Sequence, residues 1–169
     1  MIKVGVIGAG RIGQVHITSI ATRVPDAVIK TVADPFLTEE TAQWAKQMGV
    51  EKTTKDYHEI LEDPDISAVL ICSSTDTHSP ISLDAIRAGK HVFCEKPIDH
   101  DVDKIMEVVH ALEGTDLKYQ VGFNRRFDHN FESLQKTVEE GKIGKTEIIK
   151  ITSRDPEPPS LDYVKVSGG

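Results

Sequence analysis

The sequence predicts an α/β protein with a doubly wound parallel sheet, followed by the start of a second α/β domain. Short runs rich in β-branched residues alternate with longer segments that carry helical apolar spacing. Parallel neighbouring strands need such crossover connections. The run at 68–72 is apolar throughout, which is typical of a strand buried on both faces. A glycine-rich turn, GAGRIG at 8–13, follows the first run and opens a helical segment.

The first 123 residues carry the predicted sheet and its connecting helices. Strands are expected at Ile2–Ile7, Ala27–Ala33, 50–54, 68–72, His91–Cys94 and Tyr119–Val121. Helices are expected at 12–22, 38–48, 57–61, 80–88 and 101–112. Gly49 and Gly89 end the second and fourth helices, since glycine is the usual residue after a helix C-terminus. Asp63-Pro64 ends the third helix.

The remainder of the chain has a different pattern. Residues 130–140 are predicted to form a helix that ends at Gly141, and residues 146–154 alternate in the manner of a strand with one solvated or ligand-facing side. A lone strand cannot form a sheet. This strand is therefore expected either to pair with another chain or to belong to a larger second domain that is incomplete here. The predicted domains are 1–123 and 124–169.

Composition excludes several classes of partner. The chain has 27 acidic and 20 basic residues and a net charge of −7, so nucleic acid is not a predicted partner. No apolar stretch approaches the roughly 20 residues that a membrane helix needs, and no signal peptide is visible. Cys72 and Cys94 lie in apolar runs and are interpreted as small buried hydrophobic residues. A cytoplasmic protein is expected.

The glycine turn has the context of a pyrophosphate site. Gly8, Gly10 and Gly13 permit a tight turn and close backbone approach, and the following helix offers free N–H groups. Asp34 ends the second strand, where a carboxylate accepts hydrogen bonds from the adenosine ribose. Its charge favours NAD over NADP, although Arg11 is placed to pair with a 2′-phosphate. The alternative is a glycine turn and a strand-end aspartate without a ligand.

The fourth predicted strand ends at the same edge of the sheet as the glycine turn. The loop that follows it carries hydroxyl and imidazole groups suited to contact ribose or nicotinamide, at Ser73, Ser74, Thr75 and His78. In the alternative interpretation, a helix starts at Ser79-Pro80 and His78 is an exposed loop residue.

The fifth predicted strand is followed directly by Glu95-Lys96-Pro97. A lysine at this point projects over the crevice, where it can hydrogen-bond or exchange a proton with an alcohol. A bond before proline can be cis. The alternative is a surface Glu–Lys pair ahead of a turn proline.

Further polar residues follow the predicted sheet. Arg125 belongs to a paired-arginine segment that suits either a polar or anionic ligand or salt bridges between domains. Arg154 and Asp155 stand at the end of the alternating segment, where they are placed to bind hydroxyls or to cap a turn. The histidines show no metal-ligand spacing, so no metal is predicted. The chain has neither a G-x-S-x-G elbow nor a P-loop, which disfavours acyl and phosphoryl transfer.

Together these motifs resemble the Gfo/Idh/MocA oxidoreductase family. The resemblance rests on GAGRIG at 8–13, Asp34, TDTH at 75–78, CEKP at 94–97 and GFNRRF at 122–127. The segments SRDPEPP at 153–159 and YVKVSGG at 163–169 are similar to the bacterial inositol 2-dehydrogenase branch. The resemblance implies a Rossmann domain over 1–123, the beginning of a substrate and oligomerisation domain over 124–169, and a homo-oligomeric enzyme.

The resemblance also implies roles for individual residues. Lys96 hydrogen-bonds the reacting hydroxyl while hydride passes from a cyclitol carbon to NAD, which turns myo-inositol into 2-keto-myo-inositol. The residues implied along the cofactor are Gly8, Ala9, Gly10, Arg11, Ile12, Gly13, Asp34, Ser73, Ser74, Thr75, His78, Glu95 and Lys96. Those implied near the substrate are Lys96, Arg125, Arg154 and Asp155.

The sequence departs from the family pattern at one point. Relatives continue into a helix with an aspartate and a histidine that complete the active site, whereas this chain stops at Gly169. We therefore expect this chain to bind NAD but to be inactive or weakly active. Two alternatives stay open, namely another sugar or polyol dehydrogenase of the same family and a stand-alone NAD-binding sensor or pseudoenzyme.

Overall fold

Six parallel strands form one sheet in the computed structural model, which describes residues 1–154 and 157–158. The strands are β1 (Ile2–Ile7), β2 (Ala27–Ala33), β3 (Lys52–Thr54), β4 (Ala68–Ile71), β5 (His91–Cys94) and β6 (Tyr119–Val121). Their order across the sheet is β3-β2-β1-β4-β5-β6. Every neighbouring pair is parallel, so the predicted doubly wound parallel sheet is confirmed.

Helices connect the strands and continue beyond the sheet. They are α1 (Arg11–Arg23), α2 (Glu39–Gln47), α3 (His58–Leu61), α4 (Thr75–Arg87), α5 (Val102–Leu112) and α6 (His129–Glu139). Side chains cap several N-termini: Thr38 accepts from the Thr41 amide, and Asp101 accepts from the Asp103 amide. Such caps satisfy amide groups that have no partner within the helix.

Helices cover both faces of the sheet. On one face Ile17 of α1 and Ala45 of α2 pack with the alternating strand residues Val4, Val6 and Val32. The other face forms a second cluster that contains α3, α4 and α5 residues, among them Ile60, Leu61, Ile81, Ala85, Ile86 and Val108. Burial of apolar surface on both sides explains why β4 is apolar along its whole length.

The strand order creates a crevice at one edge of the sheet. The chain runs outward from β1 to β3 and then returns to place β4 on the other side of β1. The loops that follow β1 and β4 therefore leave the sheet in opposite directions. In open α/β sheets, ligands bind at this switch point, outside the carboxyl ends of the strands.

The start of α4 differs from the prediction. The helix begins at Thr75 rather than Pro80, and Pro80 lies inside it. The Thr77 hydroxyl donates to the carbonyl oxygen of Ser74 and is 2.7 Å from the hydroxyl of Ser73. These hydrogen bonds fix a first turn that a proline-based start signal does not predict.

The chain divides into two units, Met1–Gly122 and Phe123–Gly169. In the second unit, a short 3₁₀ helix at Asn124–Phe127 precedes α6. The predicted strand at 146–154 is wrong, because these residues adopt no strand conformation. A strand needs a hydrogen-bonding partner, and the described part of this unit contains none. Among the described residues, no helix has the length and apolar character needed to cross a membrane.

Candidate dinucleotide-binding site

The glycine turn after β1 is closely packed at two of its three glycines. Gly8 has a φ of +99°, and a Cβ atom on it would lie 2.6 Å from backbone atoms of Cys72. A Cβ atom on Gly13 would lie 2.0 Å from the carbonyl oxygen of Gly8. Only glycine fits both positions without displacing backbone, since Gly8 also needs a left-handed conformation.

Gly10 lies in a different environment. A Cβ atom at Gly10 would meet no atom within 4 Å in the described part of the chain apart from its neighbours, so the fold leaves open space beside it. Gly10 is also the N-cap of α1, and no side chain caps the helix there. The first turn of α1 carries no acidic residue. Its free amides and the positive end of the helix dipole suit an anion in that space.

Asp34 follows β2 and is bound to the glycine turn. Its Oδ2 accepts a hydrogen bond from the Ala9 amide at 2.7 Å, and its Oδ1 accepts one from the Phe36 amide at 2.8 Å. The carboxylate is half-buried. Each carboxylate oxygen has a second lone pair, so both can still accept a hydrogen bond from a ribose hydroxyl. The turn and the acidic residue thus form one preorganised unit.

His78 is buried on the first turn of α4, with only 2% of its surface exposed. Its Nδ1 lies 2.7 Å from the carbonyl oxygen of Pro97, and its Nε2 lies 3.0 Å from the carbonyl oxygen of Ser73. The alternative interpretation of His78 as an exposed loop residue is therefore wrong. The imidazole connects the loop after β4 to the loop after β5, and its contact with a cofactor stays a prediction.

The segment after β5 holds Lys96 at the carboxyl edge. Lys96 is exposed and precedes Pro97 through a cis peptide bond. The Glu95 carboxylate does not pair with the Lys96 ammonium. Its Oε1 is 2.8 Å from Nε2 of His16, and its Oε2 accepts from the Lys96 amide at 3.3 Å. The alternative of a surface Glu–Lys pair is wrong, since the Glu95 side chain is only 14% exposed.

Sequence reasoning missed His16. His16 has no metal-ligand spacing to the other histidines, so that pattern does not single it out. His16 lies three residues after Gly13 on α1, so both residues lie on the same side of the helix. Its ring makes an edge contact with Phe93 of β5, with centroids 5.0 Å apart. The helical spacing from Gly13 is the signal that could have identified it.

Of the predicted substrate residues, Lys96 belongs to the first unit, and Arg125, Arg154 and Asp155 belong to the second. Arg125 donates to the Ser153 hydroxyl at 3.2 Å, and its guanidinium lies 5.1 Å from the centre of the Phe131 ring. Arg154 is exposed. Asp155 lies outside the described residues. The roles of all three stay predictions.

Neither cysteine is disulfide-bonded. Cys72 and Cys94 are free and buried, as predicted. Burial raises the pKa of the Cys94 thiol to about 11, so it is a thiol rather than a thiolate nucleophile. Within the described residues, no group of three or more His, Cys, Asp or Glu side chains is placed to hold a metal ion.

Comparison with known sequences identifies the family. Residues 2–123 match the sequence model of the Gfo/Idh/MocA family, described as an oxidoreductase family with an NAD-binding Rossmann fold. The chain belongs to this family. The match covers the whole sheet and every residue of the carboxyl edge from Gly8 to Lys96. Membership confirms the predicted Rossmann fold and, at the level of the family, the predicted cofactor NAD.

Relatives within the family include several inositol dehydrogenases. The chain is 44% identical over 167 residues to myo-inositol 2-dehydrogenase of Thermotoga maritima, covering 99% of this chain and 49% of the relative. It is 44% identical over 168 residues to inositol 2-dehydrogenase of Rhizobium meliloti, and this match covers 99% of the present chain and 50% of the relative. The chain thus spans about half the length of the curated relatives it matches.

The similar solved structures include one with bound cofactor and cyclitol. The crystal structure of scyllo-inositol dehydrogenase from Lactobacillus casei, with bound NAD(H) and scyllo-inositol, matches with a TM-score of 0.80 and 37% identity. The match covers 85% of this chain and 42% of that one.

Proposed function

We propose that this chain is the NAD-binding part of a dehydrogenase that oxidises a secondary hydroxyl of a cyclitol, with myo-inositol as the first candidate. One observation carries the proposal. A single edge of the sheet holds open space beside Gly10 at the start of α1, the half-buried Asp34 carboxylate bonded to the glycine turn, and the exposed Lys96. The substrate class is supported by relatives that are 44% identical and act on inositol according to their names.

The strand order supports one direction for the cofactor along this edge. Asp34 follows β2, the glycine turn follows β1, and Glu95 with Lys96 follows β5 on the far side of β4. The adenosine ribose would lie at Asp34 and the pyrophosphate at Gly10 and the start of α1, beside Ala9, Arg11 and Ile12. The nicotinamide half would then extend past the loop that begins at Ser73, Ser74 and Thr75 toward β5.

Lys96 is the proposed catalytic residue. When bound, NAD⁺ supplies the acceptor for the hydride that leaves the cyclitol carbon. The Lys96 ammonium has three N–H donors and no acceptor, so it can hydrogen-bond the oxygen of the reacting hydroxyl. Negative charge develops on that oxygen as the hydroxyl proton passes to water or to a base, and the hydrogen bond from Lys96 then strengthens. The charge is lost again when the hydride leaves the carbon and the C=O bond forms. The exposed position of Lys96 at the carboxyl edge supports this role, because a substrate can reach the amine without displacing core residues.

A second candidate substrate is scyllo-inositol. The neighbour from Lactobacillus casei holds this stereoisomer, and it is 37% identical to the present chain. The two inositols differ in the orientation of one hydroxyl. Residues that bind the rest of the ring, and not the edge described above, would select between them.

The experiment is an NADH-formation assay on the full protein encoded by the gene, with NAD⁺ and a panel of polyols. The panel contains myo-inositol, scyllo-inositol, glucose and sorbitol. NADH formation with at least one inositol above the rate with no polyol is the expected result. Formation only with an acyclic polyol or a sugar would refute the cyclitol assignment. Absence of NAD⁺ binding to the purified 169-residue chain would refute the cofactor site itself.

A further inference from the structure

Glu95 carries a carboxylate that is held from three sides at the end of β5. Its Oε1 is 2.8 Å from Nε2 of His16, and its Oε2 accepts from the Lys96 amide. On the third side lies Gly122, where a Cβ atom would be 3.1 Å from Cδ and Oε2 of the carboxylate. The His16 and Glu95 side chains are 23% and 14% exposed. A carboxylate in this setting is screened by water much less than a surface charge.

The position of this charge relative to the cofactor follows from the strand order. β5 lies two strands from β1, which corresponds to about 10 Å across the sheet, on the side away from Asp34. A dinucleotide whose ribose is at Asp34 and whose pyrophosphate is at α1 would present its nicotinamide half toward Glu95. The oxidised nicotinamide ring carries a positive charge that the reduced ring lacks.

We propose that the Glu95 carboxylate, positioned by His16, makes the site favour NAD⁺ over NADH. This inference rests on the proposed cofactor placement. A negative charge near the ring stabilises the cationic form by Coulomb attraction and has little effect on the neutral form. Preference for the oxidised cofactor suits an enzyme whose substrate is the alcohol, because NAD⁺ is then bound when the alcohol arrives and NADH leaves afterwards.

His16 is a positioning residue in this scheme. Its imidazole is oriented by the edge contact with Phe93, and the contact between its Nε2 and Oε1 of Glu95 holds the carboxylate in place. His16 also lies on α1, the helix whose N-terminus faces the proposed pyrophosphate site. The His16–Glu95 pair therefore joins the phosphate-binding helix to the Lys96 segment.

The test compares the dissociation constants of NAD⁺ and NADH for the 169-residue chain by calorimetry. The readout is the ratio of the NAD⁺ constant to the NADH constant. Glu95→Gln keeps an acceptor for His16 but removes the charge, and it should raise the ratio about three- to tenfold, the size expected for one partly screened charge several ångströms away. Glu51→Gln is the control, since Glu51 is exposed and precedes β3 at the opposite edge.

Two further variants separate position from charge. Gly122→Ala keeps the charge but pushes the carboxylate, and it should raise the ratio by a smaller factor of about two. His16→Ala should raise the ratio, because the Glu95 carboxylate is then free to turn toward water. His16→Gln restores an N–H donor and should return the ratio toward the parent value. Gly122→Ala also tests the idea if Glu95→Gln does not fold.

The outcomes separate this inference from the proposed function. If neither NAD⁺ nor NADH binds the parent chain, the proposed function fails. If both bind and Glu95→Gln changes the ratio no more than Glu51→Gln does, the role of Glu95 is refuted and the proposed function stands. If His16→Ala lowers the ratio, the imidazole acts as a counter-charge, and its positioning role is refuted.

Discussion

Asp34→Asn removes one negative charge from the end of β2 while keeping the shape of the side chain. In the parent chain both carboxylate oxygens accept amide hydrogen bonds, from Ala9 at 2.7 Å and from Phe36 at 2.8 Å. Asparagine has one carbonyl oxygen and can keep only one of them. Ala9 is buried and Phe36 is exposed, so the carbonyl should remain with Ala9 while water serves the Phe36 amide. The fold should therefore tolerate the change.

The loss in NAD affinity follows from the hydrogen bonds to ribose. A hydrogen bond to a charged acceptor contributes about 1.5–3 kcal/mol. Asparagine retains one neutral acceptor oxygen with one free lone pair, and its NH₂ group cannot accept, so the two charged acceptors for ribose are lost and NAD should bind about 10- to 100-fold more weakly. The affinity for NADP should fall little, because the 2′-phosphate is repelled by the Asp34 carboxylate of the parent chain and not by the asparagine amide. The preference for NAD over NADP should fall by at least about tenfold.

The assay is a calorimetric titration of parent and variant with NAD and with NADP. Asp26→Asn is the matched control, because Asp26 is exposed and precedes β2 at the opposite edge of the sheet. An unfolding curve for each protein shows that the fold is kept. If Asp34→Asn binds NAD and NADP with the affinities of the parent chain, Asp34 is not part of the cofactor site.

Three further substitutions test the glycine turn and the acid response of the fold. Gly10→Ala should leave the unfolding free energy within about 1 kcal/mol of the parent and weaken NAD binding about tenfold or more, since its methyl group enters only the proposed pyrophosphate space. Gly13→Ala should lower the unfolding free energy by about 1–3 kcal/mol in urea titrations, because its Cβ atom would collide with the Gly8 carbonyl. A larger loss of unfolding free energy in Gly10→Ala than in Gly13→Ala would contradict the packing described here. Hydrogen bonds from Lys3 and Lys30 lower the pKa of Asp65 to about 2, below its ordinary value of 3.8. Their contribution to stability is present above about pH 4 and is lost as pH falls toward 2, so Asp65→Asn should flatten thermal stability over that window; an unchanged slope would refute the assignment.

The fold could be predicted from the sequence because its signals are local and repeat along the chain. Apolar runs and glycine stops predicted all six strands and placed the bounds of most helices within two residues. The start of α4 could not be predicted this way. It depends on hydrogen bonds that join Thr77 to the preceding loop and His78 to the carbonyl of Pro97, which is distant in sequence.

The site shows the same division between local and long-range signals. The glycine turn and Asp34 are adjacent to strand ends and are visible as a motif. The contact between His16 and Glu95 spans 79 positions and becomes visible only when the fold brings the His16 side chain of α1 to the end of β5. The alternating segment at 146–154 led to a wrong strand prediction, because alternation describes the faces of a strand but does not supply its partner.

The most direct test of the account is inositol-dependent NADH formation by the full protein and its Lys96→Ala variant, with NAD⁺ affinity measured on both. We expect the variant to keep its NAD⁺ affinity within about threefold, because Lys96 is exposed and its amide contact with Glu95 is made by the backbone. Turnover should fall about 100- to 10,000-fold, the usual contribution of a group that hydrogen-bonds or protonates the reacting oxygen. Equal turnover in the two proteins would contradict the assignment of Lys96 and the reaction proposed for this edge of the sheet.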